Sequence, residues 1–314
     1  MAFSLPFLRR LAADSDDLGL GTRDGPSRGV NKDGSFNLRR TGVPRFRPYE
    51  LYHQLITMSA PIFSLMLLAG NILANLLFAG IYLAVGMEHF DRTGGPGLLD
   101  RFLDAFFFST QTLTTVGNGR IHPVSPLACA VAALESLLGL MGFALACGLL
   151  YGRFSRPHAR ILFSRRAVIA PHKGRTAFMF RIVNERSNQL IELEAHVTLS
   201  LRDPDSGAHL FTTLPLERTR INLFPSNWTI VHAIDPDSPL AGMSAGDLEE
   251  ADAEFIVLIK AFDDTFAQNV FARSSYKSGE ISWGMRFVPM VSPRDESGMA
   301  TVDLRLLDEL EAPG

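Results

Sequence analysis

The sequence predicts an α+β membrane protein with two transmembrane helices, a re-entrant helix between them, and a cytoplasmic β-sandwich of immunoglobulin-like type. Three observations support this fold class. Residues 60–85 and 126–151 are far more apolar than the rest of the chain. A short apolar segment and a glycine-rich strip lie between them, and from residue 167 onward the hydrophobic pattern changes to a period of two.

Composition limits the class of protein. The chain has 314 residues, enough for about two domains, and its net charge of -3 gives no argument for nucleic-acid binding. Cys129 and Cys147 would lie about 27 Å apart along one helix, too far for a disulfide within the chain. Because we find no phosphate loop, nucleophile elbow or metal-ligand spacing, we expect neither a cofactor nor enzymatic activity.

The region before the first apolar segment is polar. Residues 1–46 are predicted to form a disordered cytoplasmic arm, because residues 13–46 are rich in Gly, Asp, Arg and Ser. Residues 47–59 place Leu51, Tyr52 and Ile56 on one helical face and polar side chains on the other. This pattern predicts an amphipathic helix that lies in the membrane interface.

Two membrane spans are predicted within a pore domain of residues 60–154. Residues 60–85 and 126–151 are each long enough to cross a hydrocarbon core of about 30 Å. The second span has three glycines that permit close packing or bending: Gly139, Gly142 and Gly148. Its single acid, Glu135, is costly in lipid and should therefore face protein or water.

Basic residues predict the orientation of both spans. The sequence before the first span and after the second carries more arginines than the loop that connects the two spans. Arginines before the first span are Arg39, Arg40, Arg45 and Arg47, and those after the second are Arg153, Arg156, Arg160, Arg165 and Arg166. The positive-inside rule therefore places both termini in the cytoplasm.

The loop between the spans has the pattern of a pore loop. Residues 102–114 form a short apolar segment, predicted to be a helix that is too short to span a bilayer. The strip at 115–119, Thr-Val-Gly-Asn-Gly, follows directly. Non-helical backbone at membrane depth is tolerated only where protein buries it or where it lines a watery cavity.

Residues 155–314 are predicted to form the β domain. Apolar and polar residues alternate strictly over 191–201, as in a half-buried strand. Other predicted strands are 176–183, 228–234, 255–262, 270–276 and 281–288. Short strands at this spacing suggest an immunoglobulin-like sandwich.

Several motifs together resemble the inward-rectifier potassium channels, and most closely their prokaryotic KirBac branch. The resemblance covers about residues 47–290. Its motifs are Phe106-Phe107-Phe108-Ser109, Thr112 to Gly117, His122-Pro123, Arg153 to Pro157, Val231 to Asp235 with Ser238-Pro239-Leu240, Ala272 to Tyr276, and Glu280 to Gly284. A filter motif alone would fit other potassium channels, but this ordered set is specific.

The resemblance implies a homotetramer around a central potassium pathway. Each chain would contribute backbone carbonyls from Thr115, Val116, Gly117, Asn118 and Gly119 to the filter, with K⁺ bound at Thr115, Val116 and Gly117. It also implies an inner-membrane protein of a prokaryote. No cofactor is expected, and K⁺ is expected as the permeant ion.

The sequence departs from the family's pattern at three positions. Asn118 replaces the filter tyrosine, Gln111 replaces the acid of the pore helix, and Arg120 replaces an acid often found after the filter. A nonselective Na⁺/K⁺ channel therefore remains an alternative. A membrane-anchored binding module or enzyme that uses the β domain is a third.

Further roles follow from the resemblance. Phe143, Cys147 and Tyr151 share the face that would line the pore, with Tyr151 as the gate and an apolar Phe143 implying weak rectification. Gln111, Glu135 and Arg120 would support the filter, with Glu135 hydrogen-bonded behind it. A basic belt would bind anionic or phosphoinositide lipids: Arg45, Arg47, Arg153, Arg156, Arg160 and Arg165.

Overall fold

The structure, a computed structural model, describes residues 28–39, 41–42, 50–91, 93–95, 97–155, 160–186, 188–203, 207–224, 227–296 and 298–312. The chain divides into two compact units. Val43–Arg156 contains the long helices, and Met1–Gly42 together with Pro157–Gly314 contains the large sheets. The predicted fold class, apolar spanning helices with a separate β domain, is confirmed.

The described part of the helical unit contains helices α1 (Leu51–Thr57), α2 (Ala60–Val85), α3 (Leu98–Leu113) and α4 (Pro126–Phe154). Helices α2 and α4 are long and apolar enough to cross a bilayer. A proline lies in the first turn of each, where its missing N–H costs no hydrogen bond. At the start of α4, the Ser125 hydroxyl accepts from the Ala128 amide at 3.3 Å and caps the helix.

Helix α3 is longer than predicted, because it begins at Leu98 rather than at residue 102. Leu98 and Leu99 are 80% and 69% exposed, so the added turn packs no apolar side chain against the described part of the chain. Asp100 in this first turn favours the positive end of the helix dipole. At about 24 Å, a helix of 16 residues is still too short to span.

Aromatic packing joins α2 to α3. Tyr82 is fully buried, and its ring meets those of Phe90 and Phe108 edge to face, with centroids 5.3 and 5.0 Å apart. Phe90 belongs to β1 (Phe90–Asp91), which pairs antiparallel with β2 (His122–Pro123). This small sheet joins the segments on either side of α3.

The second unit is built from strands β3 to β14. In chain order they are β3 (Ile161–Phe163), β4 (Ala167–His172), β5 (Arg175–Asn184), β6 (Leu190–Arg202), β7 (His209–Thr213), β8 (Arg220–Leu223), β9 (Asn227–Ile234), β10 (Glu254–Asp263), β11 (Gln268–Lys277), β12 (Ile281–Trp283), β13 (Arg286–Phe287) and β14 (Leu310–Glu311). One five-stranded sheet has the order β11–β10–β6–β7, with β8 also paired to β6. The other has the order β12–β4–β5–β3, with β9 also paired to β5, and β13 pairs with β14.

The two large sheets share one hydrophobic core. Phe178 of β5 stacks on Phe255 of β10 with ring centroids 4.2 Å apart, and both side chains are fully buried. Trp228 of β9 and Tyr276 of β11 belong to the same buried cluster. The unit is therefore a β-sandwich, with the short helix α5 (Ala245–Glu250) beside it.

The strict alternation predicted over 191–201 is wrong at its start. Leu190 is 1% exposed, whereas Ile191 is only partly buried and Glu192 adopts a positive φ of 51°. The pairing of β6 with β10 shifts register between Lys260 and Phe262. An irregularity of this kind is a β-bulge, and it changes which residues of the strand point inward. A simple period of two therefore cannot predict it.

The strand predicted over 281–288 is also interrupted. Gly284 has a φ of 67°, which ends β12, and β13 then begins at Arg286. The two pieces pair with different strands, β12 in parallel with β4 and β13 antiparallel with β14. Five strands of this unit were not predicted: β3, β4, β7, β8 and β14. All of them except β4 have at most five residues.

The prediction of a disordered arm over residues 1–46 is wrong for residues 28–38. Residues 1–27, 40 and 43–46 lie outside the described part. The amides of Gly29 and Val30 donate to the buried carboxylate of Glu254 at 2.8–3.0 Å. Val30 is 1% exposed, and Arg28 bonds both carboxylate oxygens of Glu280. The polar composition hid these contacts, since their partners lie more than 200 residues away in the chain.

Candidate ion-conduction site

The glycine-rich strip has the backbone of a carbonyl-lined path. Thr115, Gly117 and Gly119 have positive φ angles of 58°, 55° and 72°. Glycine adopts such angles readily, whereas threonine loses about 1–2 kcal/mol. Left-handed residues at every second position turn successive carbonyls toward a common side, which is the arrangement a carbonyl-lined ion site needs.

The strip is anchored to the last turn of α3. The amides of Val116 and Gly117 donate to the Gln111 carbonyl at 2.9 and 3.3 Å. The Thr114 hydroxyl donates to the Thr110 carbonyl at 2.6 Å. Gln111 thus holds the strip through its main chain, whereas the sequence argument considered only its side chain.

Helix α4 approaches the end of α3 closely at Gly139. A Cβ atom added there would overlap the Leu113 carbonyl, the last residue of α3. Within this chain, a Cβ at Gly142 or Gly148 would meet open space. Of the three predicted packing glycines, Gly139 alone lies at the base of the strip.

A buried polar cluster lies behind α3. Glu135 is fully buried and accepts a hydrogen bond from the Tyr82 hydroxyl. Its other oxygen lies 2.5 Å from Ser109 Oγ, which is also 3.1 Å from Asn75 Oδ1. The cluster therefore links α2, α3 and α4 at one point. Glu135 was predicted to lie behind the filter, but its partners Tyr82 and Ser109 were not predicted.

Arg120 has a partner that the sequence argument missed. Its guanidinium lies 3.7 Å from the carboxylate of Asp104, which is buried within α3. Asp104 also accepts a 2.5 Å hydrogen bond from the Gly94 amide. The ion pair is weak because Arg120 is 71% exposed. The carboxylate of Asp104 nevertheless balances part of the positive charge of Arg120.

The predicted pore-lining residues share an exposed face of α4. Phe143 is 70% exposed and Tyr151 is 75% exposed, and Cys147 between them is exposed as well. Their spacing of four residues aligns them along the helix. An apolar stripe of this length is left uncovered by the described part of the chain.

The basic belt is only partly described, because Arg45, Arg47 and Arg156 lie outside the described residues. Arg153 donates to the carbonyls of Leu55 and Met58 at 3.0 and 2.8 Å. Its guanidinium also lies 4.7 Å from the centre of the Phe63 ring. Arg153 therefore binds the end of α1, and the sequence did not indicate this role.

Two other arginines of the belt form ion pairs with carboxylates. Arg160 pairs with Glu185 at 3.3 Å and Arg165 with Asp308 at 3.1 Å. Their side chains are 61% and 88% exposed, so solvent screens both pairs. Both pairs therefore contribute little to stability.

Two spanning helices, a short helix too short to span, and a carbonyl strip between them define an ion-channel pore unit. Comparison with known proteins agrees: residues 71–155 match an ion channel family, and residues 161–312 match the inward rectifier potassium channel C-terminal domain.

Individual relatives lead to the same family. The inward rectifier potassium channel Kirbac3.1 of Paramagnetospirillum magnetotacticum is 38% identical over 286 residues, which cover 90% of this chain and 95% of the relative. The ATP-sensitive inward rectifier potassium channel 11 of Mus musculus is 27% identical, covering 94% of this chain and 81% of the relative. The human inward rectifier potassium channel 4 is 30% identical, covering 73% and 60%.

The chain belongs to the inward rectifier potassium channel family. Its relatives are channels rather than enzymes, which confirms the expectation that this chain is not an enzyme and removes that alternative.

Proposed function

We propose that the chain is one subunit of a homotetrameric potassium channel that conducts K⁺ passively through residues 115–119. The alternating positive φ angles of the strip carry this proposal, together with its anchor on the Gln111 carbonyl. Carbonyls from a single strip cannot surround an ion, so several copies must meet at an axis. The carbonyls of Thr115, Val116 and Gly117 replace the hydration shell of K⁺.

Two further properties belong to this proposal. Phe143 offers no charge to a polyvalent cation entering from inside the cell, so voltage-dependent block is weak and rectification is mild. Both termini lie in the cytoplasm of a prokaryote, with the spans in its inner membrane. The arginines before the first span and after the second support this orientation.

Potassium efflux from liposomes containing the purified full-length protein tests the proposal. We expect flux with the natural protein and its loss with Gly117→Ala, because alanine is strained at a φ of 55°. Gly142→Ala is the matched control, since its Cβ meets open space within the chain. Absence of flux from a monodisperse, reconstituted assembly would reject the proposal.

A nonselective Na⁺/K⁺ channel is the second candidate, and Asn118 supports it. Asn118 is exposed, and its side chain forms no hydrogen bond with the described part of its own chain. An asparagine braces the strip less than a tyrosine would, so the filter is held less firmly. We expect Asn118→Tyr to increase K⁺ selectivity in reversal potentials. Strong selectivity in the natural protein, unchanged by this substitution, would reject the second candidate.

Anionic lipid is the proposed regulator, bound by the basic belt at about 1 kcal/mol per basic residue. Since Arg153 holds the end of α1, the exposed Arg160 and Arg165 are the better test. Replacing both with glutamine should weaken the response to phosphoinositides and its dependence on salt. If the dose response is unchanged at every ionic strength, the basic belt does not bind the lipid and serves only to orient the spans in the membrane.

A further inference from the structure

A single hydrogen-bonded chain connects both spans to α3. It runs from Asn71 through Asn75 and Ser109 to Glu135 and ends at Tyr82. Asn75 is 2% exposed, and Ser109, Glu135 and Tyr82 are fully buried. Buried polar atoms away from water must satisfy one another, so the hydrogens of this chain can be assigned one by one.

The orientation of the Asn75 amide is fixed by main chain. Its Nδ2 lies 3.0 Å from the Asn71 carbonyl oxygen, which can only accept. Its Oδ1 therefore faces Ser109 Oγ at 3.1 Å. An amide oxygen also only accepts, so this contact is a hydrogen bond only if the single hydroxyl hydrogen of Ser109 points to Asn75.

A Ser109 hydroxyl that donates to Asn75 has no hydrogen left for Glu135. Its Oγ lies 2.5 Å from Glu135 Oε1, a distance that requires a hydrogen between the two oxygens. We propose that Glu135 carries that proton and donates it to Ser109, while Tyr82 donates to the other carboxyl oxygen. Each hydrogen of the chain is then used once, and no two lone pairs face each other.

Two other buried carboxylates of the chain have a different set of partners. Glu254 accepts from the amides of Gly29 and Val30 and lies 4.0 Å from the Lys277 ammonium. Asp104 accepts from the Gly94 amide and pairs with Arg120. Each of the two thus has a cationic side chain within 4.0 Å. Glu135 has no cationic partner in the described part of the chain, so a proton is what neutralises it.

A neutral Glu135 is a positioning residue for the proposed filter. It holds Ser109 in place through a hydrogen bond. Ser109 lies two residues before Gln111, whose carbonyl holds the strip. A neutral Glu135 adds no negative charge to the ion path, so its effect on conduction comes through the position of α3. This consequence depends on the proposed function, but the protonation state itself does not.

Infrared spectroscopy of the full-length protein in lipid-supplemented detergent tests the proton. The carbonyl stretch of a protonated carboxylic acid should be present at neutral pH and should disappear in Glu135→Gln. It should persist in Asp104→Asn, the matched control. If Glu135→Gln fails to assemble, Ser109→Ala serves instead: it should shift the acid band, because the acid loses its acceptor. Spectra without an acid band that responds to these changes would overturn the proposal.

Liposome flux tests the positioning role separately. Glutamine can donate to Ser109 and accept from Tyr82, so Glu135→Gln should keep K⁺ flux within about twofold of the natural protein. Glu135→Leu removes both hydrogen bonds and should reduce flux about tenfold or more. Loss of flux in the glutamine variant, or full flux in the leucine variant, would overturn the positioning role. A missing flux in all three proteins, with the acid band present in the natural protein, would instead count against the proposed function.

Discussion

Single residues set the position of the strip, and most act through main-chain atoms. Gly139 allows α4 to lie directly against the Leu113 carbonyl, and the Gln111 carbonyl receives two amides from the strip. The sequence allowed Gly139 to be identified as a packing residue, because small residues are common between spanning helices. It did not indicate which glycine of three mattered, since that depends on where α3 ends.

Gly139→Ala should therefore be damaging. Its Cβ has no room beside a main-chain oxygen, so α3 or α4 must shift, at a cost of about 1–3 kcal/mol in the free energy of unfolding. We expect a lower thermal midpoint and less flux. Gly142→Ala, in the same helix but facing open space within the chain, should change neither. Equal behaviour of the two variants would contradict the close contact.

The partners of the buried polar residues were beyond prediction from sequence. Glu135 was expected to face protein or water because charge is costly in lipid. Its partners Tyr82 and Ser109 lie 53 and 26 residues away, so no local pattern connects them. The same holds for Asp104 and Arg120. Only the packing of three helices brings these side chains together.

Among elements, long and strongly patterned segments were predicted best. Helix α2 occupies the predicted residues 60–85, since an unbroken apolar run defines its length. The start of α3, the bulge in β6 and the break at Gly284 were missed, because each depends on local backbone geometry rather than on periodicity. Pairing partners of strands were likewise not predicted, as they follow from contacts distant in sequence.

The exposed face of α4 predicts a gate at Tyr151. If four Tyr151 rings meet at the inner mouth, Tyr151→Ala should increase basal flux several-fold, because a wider opening lowers the barrier to wetting. Thiol reagents should also reach Cys147 faster. Leu145→Ala is a matched control, since Leu145 is 68% exposed on the opposite face of α4. Unchanged flux and unchanged reagent access would place the gate elsewhere.

The docked arm should respond to pH through Lys32. Its ammonium lies 3.6 Å above the Tyr276 ring centre and 3.4 Å from Glu280, and burial lowers its pKa from the ordinary 10.5 to about 8. Burial raises the pKa of Tyr276, so that phenol stays neutral. Between pH 8 and 10.5 an undocked arm binds more protons than a docked one, so docking becomes more favourable as pH rises.

Hydrogen-exchange protection factors of the Gly29 and Val30 amides measure this docking. Protection should increase between pH 8 and 10 in the natural protein. In Lys32→Met it should stay constant over this range, because the methionine side chain does not titrate. A decrease with pH in the natural protein would mean that the charged lysine is needed for docking.

At the scale of the whole molecule, the chain combines a pore unit with a β-sandwich, and both match the inward rectifier family. The family could be predicted from the sequence, because its motifs are spread over both units in a fixed order. The assembly is a different matter. The exposed apolar face of α4 and the uncovered strip are features of one chain, and the proposed tetramer would enclose them around a central ion path.

The central claim is that four chains build one filter, and mixed assemblies test it most directly. Natural subunits would be coexpressed with increasing fractions of Gly117→Ala subunits, and K⁺ flux per assembled protein would be measured in liposomes. If one defective strip disables a shared filter, flux falls with the fourth power of the natural fraction, to about 6% at equal amounts. A linear fall to about half would show that each chain conducts alone, and would contradict the shared filter.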